Sequence, residues 1–204
     1  MTDYHLDRLV ETRQSTHRFG DADVPRDTVL DILDHAQQCP SAWNLQPWRF
    51  HILESEESIE DAYRASYDQE FLLDAATIIV VTGDERIDTF AEEALEDAFQ
   101  KDYYTRDGVD ERIDRISGYS DRSDEFVTGF LCQQTAIVAY QLQLSAEAHG
   151  LGSCIVRGFD QDLLAQSLDL ADHERPMFLV PLGEDEETRP QKMRKDVRDL
   201  TKVH

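Results

Sequence analysis

The apolar positions of this chain fall into short runs with two different periods. Leu6, Leu9 and Val10 lie at helical spacing within residues 4–14. Val29, Leu30, Ile32, Leu33 and Ala36 form one face of a helix over residues 26–38, begun by Pro25 and ended before Pro40. Residues 48–53 alternate in polarity and predict a strand, and residues 58–67 return to helical spacing. Residues 77–82 form a β-branched run bounded by Gly83, which predicts a buried strand. Near the end, residues 153–156 predict a short strand, 161–168 a helix and 176–182 a last strand.

Two long segments break this rhythm. Residues 84–125 hold 15 acidic and 6 basic residues. Within them Phe90, Ala94, Leu95, Ala98 and Phe99 mark a short amphipathic helix. Tyr103, Tyr104 and Gly108 follow, and then a weaker helical stretch. We read 84–125 as a helical insertion or lid within one domain spanning 1–204. Residues 126–146 carry no charge at all. Such a run is long enough to cross a bilayer, but Gln133, Gln134, Gln141, Gln143, Thr128, Thr135 and Ser145 are too many polar groups for lipid. It is expected to be a helix buried on nearly all sides, with Gly150 at its C-terminal cap. In a domain this small, full burial implies a subunit interface as well as a core.

Charge sharpens this picture. The 204 residues carry a formal charge of −23, and 40% of them are hydrophobic, enough for a core. An acidic surface of this kind repels nucleic acid and anionic membranes, so neither is an expected partner. The acid is spread over the chain and resembles the surfaces of salt-loving microbes, where salt screens the repulsion. A merely acidic mesophilic protein is the alternative. Cys39, Cys132 and Cys154 are odd in number and far apart, which fits a reducing cytoplasm. The opening Met-Thr-Asp-Tyr-His has neither the basic stretch nor the apolar run of a signal peptide. The 7 histidines show no metal-ligand spacing, so no metal site is expected.

Two basic islands interrupt the acid. Residues 189–202 contain Arg189, Lys192, Arg194, Lys195, Arg198 and Lys202 against Asp196 and Asp199. Arg13, His17 and Arg18 surround Ser15. Such islands suit a bound phosphate, or else they are scattered surface pairs of little energetic weight.

The most distinctive segment is residues 40–48, Pro-Ser-Ala-Trp-Asn-Leu-Gln-Pro-Trp. It holds the chain's sole asparagine, Asn44, and both of its tryptophans, Trp43 and Trp48. Pro40 and Pro47 stiffen the backbone, while Asn44 and Gln46 offer amides that donate and accept. Such a loop suits a flat heteroaromatic ligand; the plainer reading is a turn that caps a strand.

Taken together, three stretches resemble the FMN-dependent nitroreductase family. Residues 13–19 (Arg-Gln-Ser-Thr-His-Arg-Phe) look like its opening RRSxRxF motif, and residues 40–48 match its PSxxNxQPW. Gly150-Leu151-Gly152-Ser153 with Gly158-Phe159-Asp160 matches its GLGS…GFD, and Lys192-Met193-Arg194 is similar to its closing basic pair. The resemblance implies an α+β three-layer sandwich, a central mixed sheet flanked by helices. It further implies a homodimer with an interface helix and a C-terminal arm, and two FMN molecules in clefts between subunits. Arg13, Ser15, Lys192 and Arg194 would hold the phosphate and ribityl end. Gln14 and His17 would lie along the ribityl chain and pyrimidine edge. Pro40, Ser41, Asn44 and Gln46 would come from the other subunit, and Arg157 and Gly158 would approach the flavin on its N5 side. The family usually has Arg or Lys where this chain has His17. A protonated His17, Arg18 or Arg157 would then face the anionic reduced flavin.

The implied activity is ping-pong hydride transfer from NADH or NADPH through the N5 atom of FMN to a nitroaromatic, quinone or related conjugated acceptor. The cofactor carries that chemistry, so no side chain is assigned as a catalytic residue. Cys154 follows a glycine-rich turn and has a redox-active reading, but a small core residue at a strand start is the favoured one. The alternatives are a specialised flavoenzyme of the same architecture (dehalogenase, flavin-destructase or azoline-oxidase type) or a non-enzymatic flavin-binding protein.

Overall fold

The computed structural model describes residues 6–187 and 189–204. Helix α1 (Leu6–Thr12) leads into an extended segment, and α2 (Arg26–Ala36) follows Pro25, whose φ of −58° is already set for a helix start. Strand β1 (Trp48–Leu53) ends before Ser55, whose hydroxyl accepts the Ser58 N–H at 3.2 Å and caps α3 (Glu56–Ala65). This helix begins earlier than its apolar spacing predicts, because its first turn is the cap and two glutamates. Strand β2 (Thr77–Asp84) is buried along its whole length. The acidic segment contributes α4 (Ala91–Gln100) and α5 (Arg106–Ile116), the latter capped by Thr105.

Helix α6 (Asp124–Ala148) is 25 residues long and capped by Ser123. It closes on Gly150 at φ +77°, with Gly150 N–H bonded to the Glu147 carbonyl and Leu151 N–H to that of Ala146. That pair of bonds requires a left-handed residue, and glycine meets the requirement without strain. The chain then enters β3 (Gly152–Ser153), α7 (Gln161–Ser167), capped by Asp160, and β4 (Glu174–Gly183).

The four strands are ordered β1-β2-β4-β3 and pair antiparallel throughout. Among the described residues, the parallel component of the expected mixed sheet is a single bridge, Ser15 to Ser153. Strand β3 is shorter than residues 153–156 predict. Ser153 pairs with Leu182, and the ladder resumes only at Val156, which exchanges both bonds with Leu179. The position between them on that side of β4 is Pro181, which has no N–H to give.

Successive residues of β2 face opposite layers, as strand geometry demands. Ile79 and Val81 pack with Val29 and Ile32 of α2 and Leu131, Val138 and Leu142 of α6. Ile78 and Val80 pack with Ala62 of α3, Leu72, Phe159 and Leu164 of α7. The result is a three-layer α+β sandwich. Helix α4 rests on the short turn Ala42–Asn44 and on α5.

One expectation needs correction. Helix α6 is not buried on nearly all sides of this chain. Gly129, Cys132, Gln133, Ala136, Ile137 and Tyr140 are exposed, with Ile137 at 40% and Tyr140 at 45%. These positions recur at helical spacing and form an uncharged stripe on the outer face. The core accounts for only one face of the charge-free run.

Candidate functional site

The segment 14–20 is tied to the sheet by its own backbone. Thr16 N–H donates to the Ser153 carbonyl at 3.0 Å, and Gly20 N–H donates to Glu184. Phe19 bridges to Asp185, and the Thr16 hydroxyl donates to the Asp185 carboxylate at 3.0 Å. Gly152 faces Thr16 so closely that a Cβ there would lie 2.6 Å from its hydroxyl oxygen. From α6, Gln143 donates to the Ser153 carbonyl at 3.3 Å. Gly152, the second glycine of the 150–153 stretch, is therefore a close-approach residue.

Onto this corner folds the start of the basic tail. The Arg189 guanidinium donates to the Ser15 carbonyl, and the Arg189 carbonyl accepts from Gln14 Nε2 at 3.0 Å. Arg189 is ion-paired with Glu187 and lies 3.9 Å from Asp185, so its charge is largely answered within the chain. Arg13 and Lys192 have no carboxylate at ion-pair distance among the described residues. The field of both reaches Cys154, and that of Lys192 also reaches His17. His17 Nε2 lies 3.6 Å from Cys154 Sγ, and its ring meets Phe71 edge-on at 4.9 Å. Burial, then Arg189 and Lys192, push the His17 pKa below the ordinary histidine value. Burial likewise pushes the Cys154 thiol up, against the bond from Ser15 and the nearby cations. Both groups are thus neutral near pH 7, and the positive charge belongs to Arg13, Arg189 and Lys192. Gln14 Oε1 is buried without a donor among the described residues.

The structure therefore brings together Arg13, Gln14, Ser15, His17 and Lys192. Arg194 stands apart, its guanidinium turned back on the carbonyls of Lys192 and Met193. Arg18 faces the other way, 3.5 Å from Glu186. Arg157 and Gly158 are exposed beyond Val156; Arg157 lies 5.6 Å over Phe159, and the Gly158 carbonyl accepts from Gln69 at 2.8 Å.

The loop 40–47 is built differently. Trp43, Asn44 and Gln46 have φ of 55°, 57° and 46°, a conformation that asparagine tolerates best of the three. Side chains reinforce the turn's own main-chain bonds, Asn44 N–H to the Ser41 carbonyl and Leu45 N–H to that of Ala42. The Ser41 hydroxyl accepts the Gln46 N–H at 3.1 Å, and Gln46 Nε2 donates to the Asn44 carbonyl at 3.2 Å. Gln134 of α6 reaches across to accept the Ala42 N–H at 2.8 Å. Pro40 and Asn44 are exposed, and Ser41 and Gln46 are half-buried.

Within one chain these two groups do not meet. Trp48, where the loop ends, is level with Arg175 of β4, whereas Ser153 is level with Leu182. Seven residues along the strands and three strand spacings across separate them, about 25 Å. They sit at diagonally opposite corners of the sheet.

Arg189 and Gln134 are the residues that sequence reasoning left out of the site. Arg189 opens the basic tail and so carried a signal. Gln134 is one of the glutamines that mark the charge-free run as unsuited to lipid, and that polarity was the trace of its role.

An α+β sandwich with a cationic corner and a stiff amide-bearing loop is the frame of a flavin oxidoreductase. The model of the nitroreductase family matches residues 10–184, so the chain belongs to that family of oxidoreductases. Among its relatives is an NADH dehydrogenase of Thermus thermophilus, 29% identical over 84% of this chain and 82% of the relative. Another is a CLA biosynthesis enone reductase of Lactiplantibacillus plantarum, 26% identical over 84% of this chain and 81% of its own. A nitroreductase-like protein of Streptococcus mutans shares the fold with a TM-score of 0.85 and 28% identity, covering 97% of each chain. A structure from Exiguobacterium sibiricum, solved in complex with FMN, superposes with a TM-score of 0.88 at 22% identity, covering 100% of this chain and 99% of the other. No helix among the described residues is long and apolar enough to cross a membrane.

Proposed function

We propose that this protein is an FMN-dependent NAD(P)H oxidoreductase whose cofactor clefts form between two copies of the chain. The observation that carries the reading is the corner at Ser15: two cations without carboxylate partners, an orphaned buried amide oxygen and a neutral imidazole. Arg13 and Lys192 suit a phosphate, since both are free to make charge-assisted bonds. Gln14 Oε1 lacks a donor, which the hydroxyls of a ribityl chain supply. Ser15 joins the same end and His17 the pyrimidine edge, where Lys192 and Arg189 rather than the imidazole hold positive charge at neutral pH. Arg157 and Gly158 are assigned to the N5 side, and Arg194 to the phosphate once its tail is ordered by a partner.

A second copy supplies Pro40, Ser41, Asn44 and Gln46, whose loop ends at Trp48, about 25 Å from Ser153 by strand geometry. Two further features favour a homodimer. The uncharged stripe of α6 is exposed among the described residues of one chain. Strand β1 has a free edge beside a cleft of about 580 Å³, walled by Leu30, Leu33, Phe50, Ile52, Ile87 and Phe90. The tail exposes Val197, Leu200 and Val203, which suits an arm laid on that cleft of the other copy. The 84–125 segment, seated on the Ala42–Asn44 turn, is the lid of a single domain.

When bound, FMN supplies hydride chemistry, taking a hydride from NAD(P)H and giving it to an acceptor. The names of the relatives, a dehydrogenase of NADH and a reductase of enones, support a nicotinamide donor and a conjugated acceptor. The protein's part is to hold the ring, keep the reduced form's negative charge next to cations and admit donor and acceptor in turn. The three free thiols fit a cytoplasmic location. Anaerobic mixing of the FMN-loaded protein with NADH and with NADPH tests this. Bleaching of the flavin band by either supports it. A yellow protein that neither bleaches supports a flavin carrier instead, and a colourless one that takes up no FMN contradicts both.

A further inference from the structure

The segment 84–125 contains six cations. Four are answered by carboxylates: Arg86 by Asp84, Lys101 by Asp97, Arg106 by Glu96 and Arg115 by Glu111. Arg122 lies over Tyr119 and Phe126, at the foot of α6. Arg112 reaches the aromatic side of the 40–47 loop. Its guanidinium carbon lies 4.0 Å over the Tyr104 ring and 5.9 Å over Trp43, the neighbour of Asn44. Nη1 donates to the Gly108 carbonyl at 2.7 Å, and Nε is buried without an acceptor. No carboxylate lies at ion-pair distance among the described residues, in a chain where 43 acidic residues face 20 basic ones.

A planar guanidinium pinned against aromatic faces, with Nη1 on the Gly108 carbonyl, leaves Nη2 for a planar anion, and a carboxylate suits it. The stack removes much of the rotamer entropy that such a contact otherwise costs. The setting gives the pairing consequence. With 15 acids around it, the lid repels anionic molecules unless a cation is placed to receive them. We propose that Arg112 selects the acceptor, making this cleft prefer conjugated acceptors that carry a carboxylate. The proposal rests on the flavin-cleft reading, because it takes the Trp43–Asn44 wall as the wall beside the flavin.

Binding of benzoate and benzamide to the oxidised, FMN-loaded protein tests it, followed by the perturbation of the flavin spectrum. Neither is reducible under these conditions, so the readout is affinity alone. The wild type binds benzoate more tightly than benzamide. Arg112→Gln weakens benzoate about tenfold, roughly the loss of one charge-assisted bond, and leaves benzamide unchanged. Arg112→Lys retains charge without the flat stack and falls between. Equal weakening of both ligands would show that Arg112 only braces the loop, and equal wild-type affinities would show no selection; either overturns the proposal. Failure of the wild type to retain FMN is a separate result, seen before any ligand is added, and overturns the cleft reading with it.

Discussion

The segment 14–20 is fixed mainly by main-chain bonds to the sheet edge, whereas the loop 40–47 adds side-chain bonds to the main-chain bonds of its own turn. Ser15, Thr16, Phe19 and Gly20 all meet β3 or the chain after β4 through backbone groups. In the loop the main-chain bonds of Asn44 to Ser41 and Leu45 to Ala42 are joined by side-chain bonds from Ser41, Gln46 and Gln134, around three left-handed residues. Main-chain pairing constrains identity only where atoms crowd, as at Gly152. A side-chain scaffold writes each of its parts into the sequence. The loop was therefore legible residue by residue, while the corner was legible through its charges and the 13–19 and 150–153 stretches.

Substituting Gly152 attacks the corner at its tightest point. Gly152→Val is expected to destabilise by about 2–3 kcal/mol, because its Cβ would sit 2.6 Å from the Thr16 hydroxyl oxygen and 2.9 Å from Asp185 Cβ. Thermal unfolding reads that loss, and flavin content falls with it. An unchanged midpoint would show that Thr16 and Asp185 yield freely and that the corner is softer than its bonding implies.

The corresponding change in the loop is milder for the fold and sharper for the cofactor. Gln134→Leu keeps bulk in the core but leaves the Ala42 N–H without its acceptor, a loss of about 1–2 kcal/mol. FMN affinity should fall while the circular dichroism spectrum stays that of the wild type. Full retention of FMN would mean that the loop holds its shape without α6.

His17 separates the electrostatics of the two regions. Introducing a permanent charge, His17→Arg, is expected to raise the FMN reduction potential, since the reduced flavin is the more negative form. Potentiometric titration measures it, and an unchanged or lower potential argues against placing residue 17 at the flavin. A smaller effect concerns stability. Burial, Arg189 and Lys192 hold His17 below the ordinary value of 6.5, so the unfolded chain takes up the proton first. Stability of the flavin-free protein should therefore be fully present above 6.5 and decline as pH falls through that value toward the folded pKa. His17→Gln flattens that slope in the unfolding midpoint against pH; an identical slope would place the titration elsewhere.

Much of the layout could be read in advance, for physical reasons that differ by element. Trp48–Leu53 and Thr77–Asp84 announce themselves by alternation and by β-branched residues. The ends of α3 and β3 do not, because a polar cap has no hydrophobic period and the missing donor of Pro181 acts from another strand. The exposed stripe of α6 was hidden for a related reason: an uncharged sequence says that a helix avoids isolated charge, not which of its faces the chain itself covers. Asn44 was singled out by its rarity. The structure adds a backbone reason, a left-handed φ of 57°, to the ligand reading. Lys192 and Arg13, 179 positions apart, were joined by charge together with the motif resemblance, and both do lie within electrostatic reach of Cys154.

The central claim is that the corner and the loop serve one flavin only when they come from different copies. Co-expression of two differently tagged chains tests it, one with Arg13→Ala and Lys192→Ala, the other with Ser41→Ala and Asn44→Ala. Each variant alone assembles two damaged clefts and retains little FMN. The purified heterodimer has one cleft with both walls intact and should retain about one FMN per dimer, half the wild-type amount. A heterodimer that holds no more flavin than its parents would contradict the account and place both walls within a single chain.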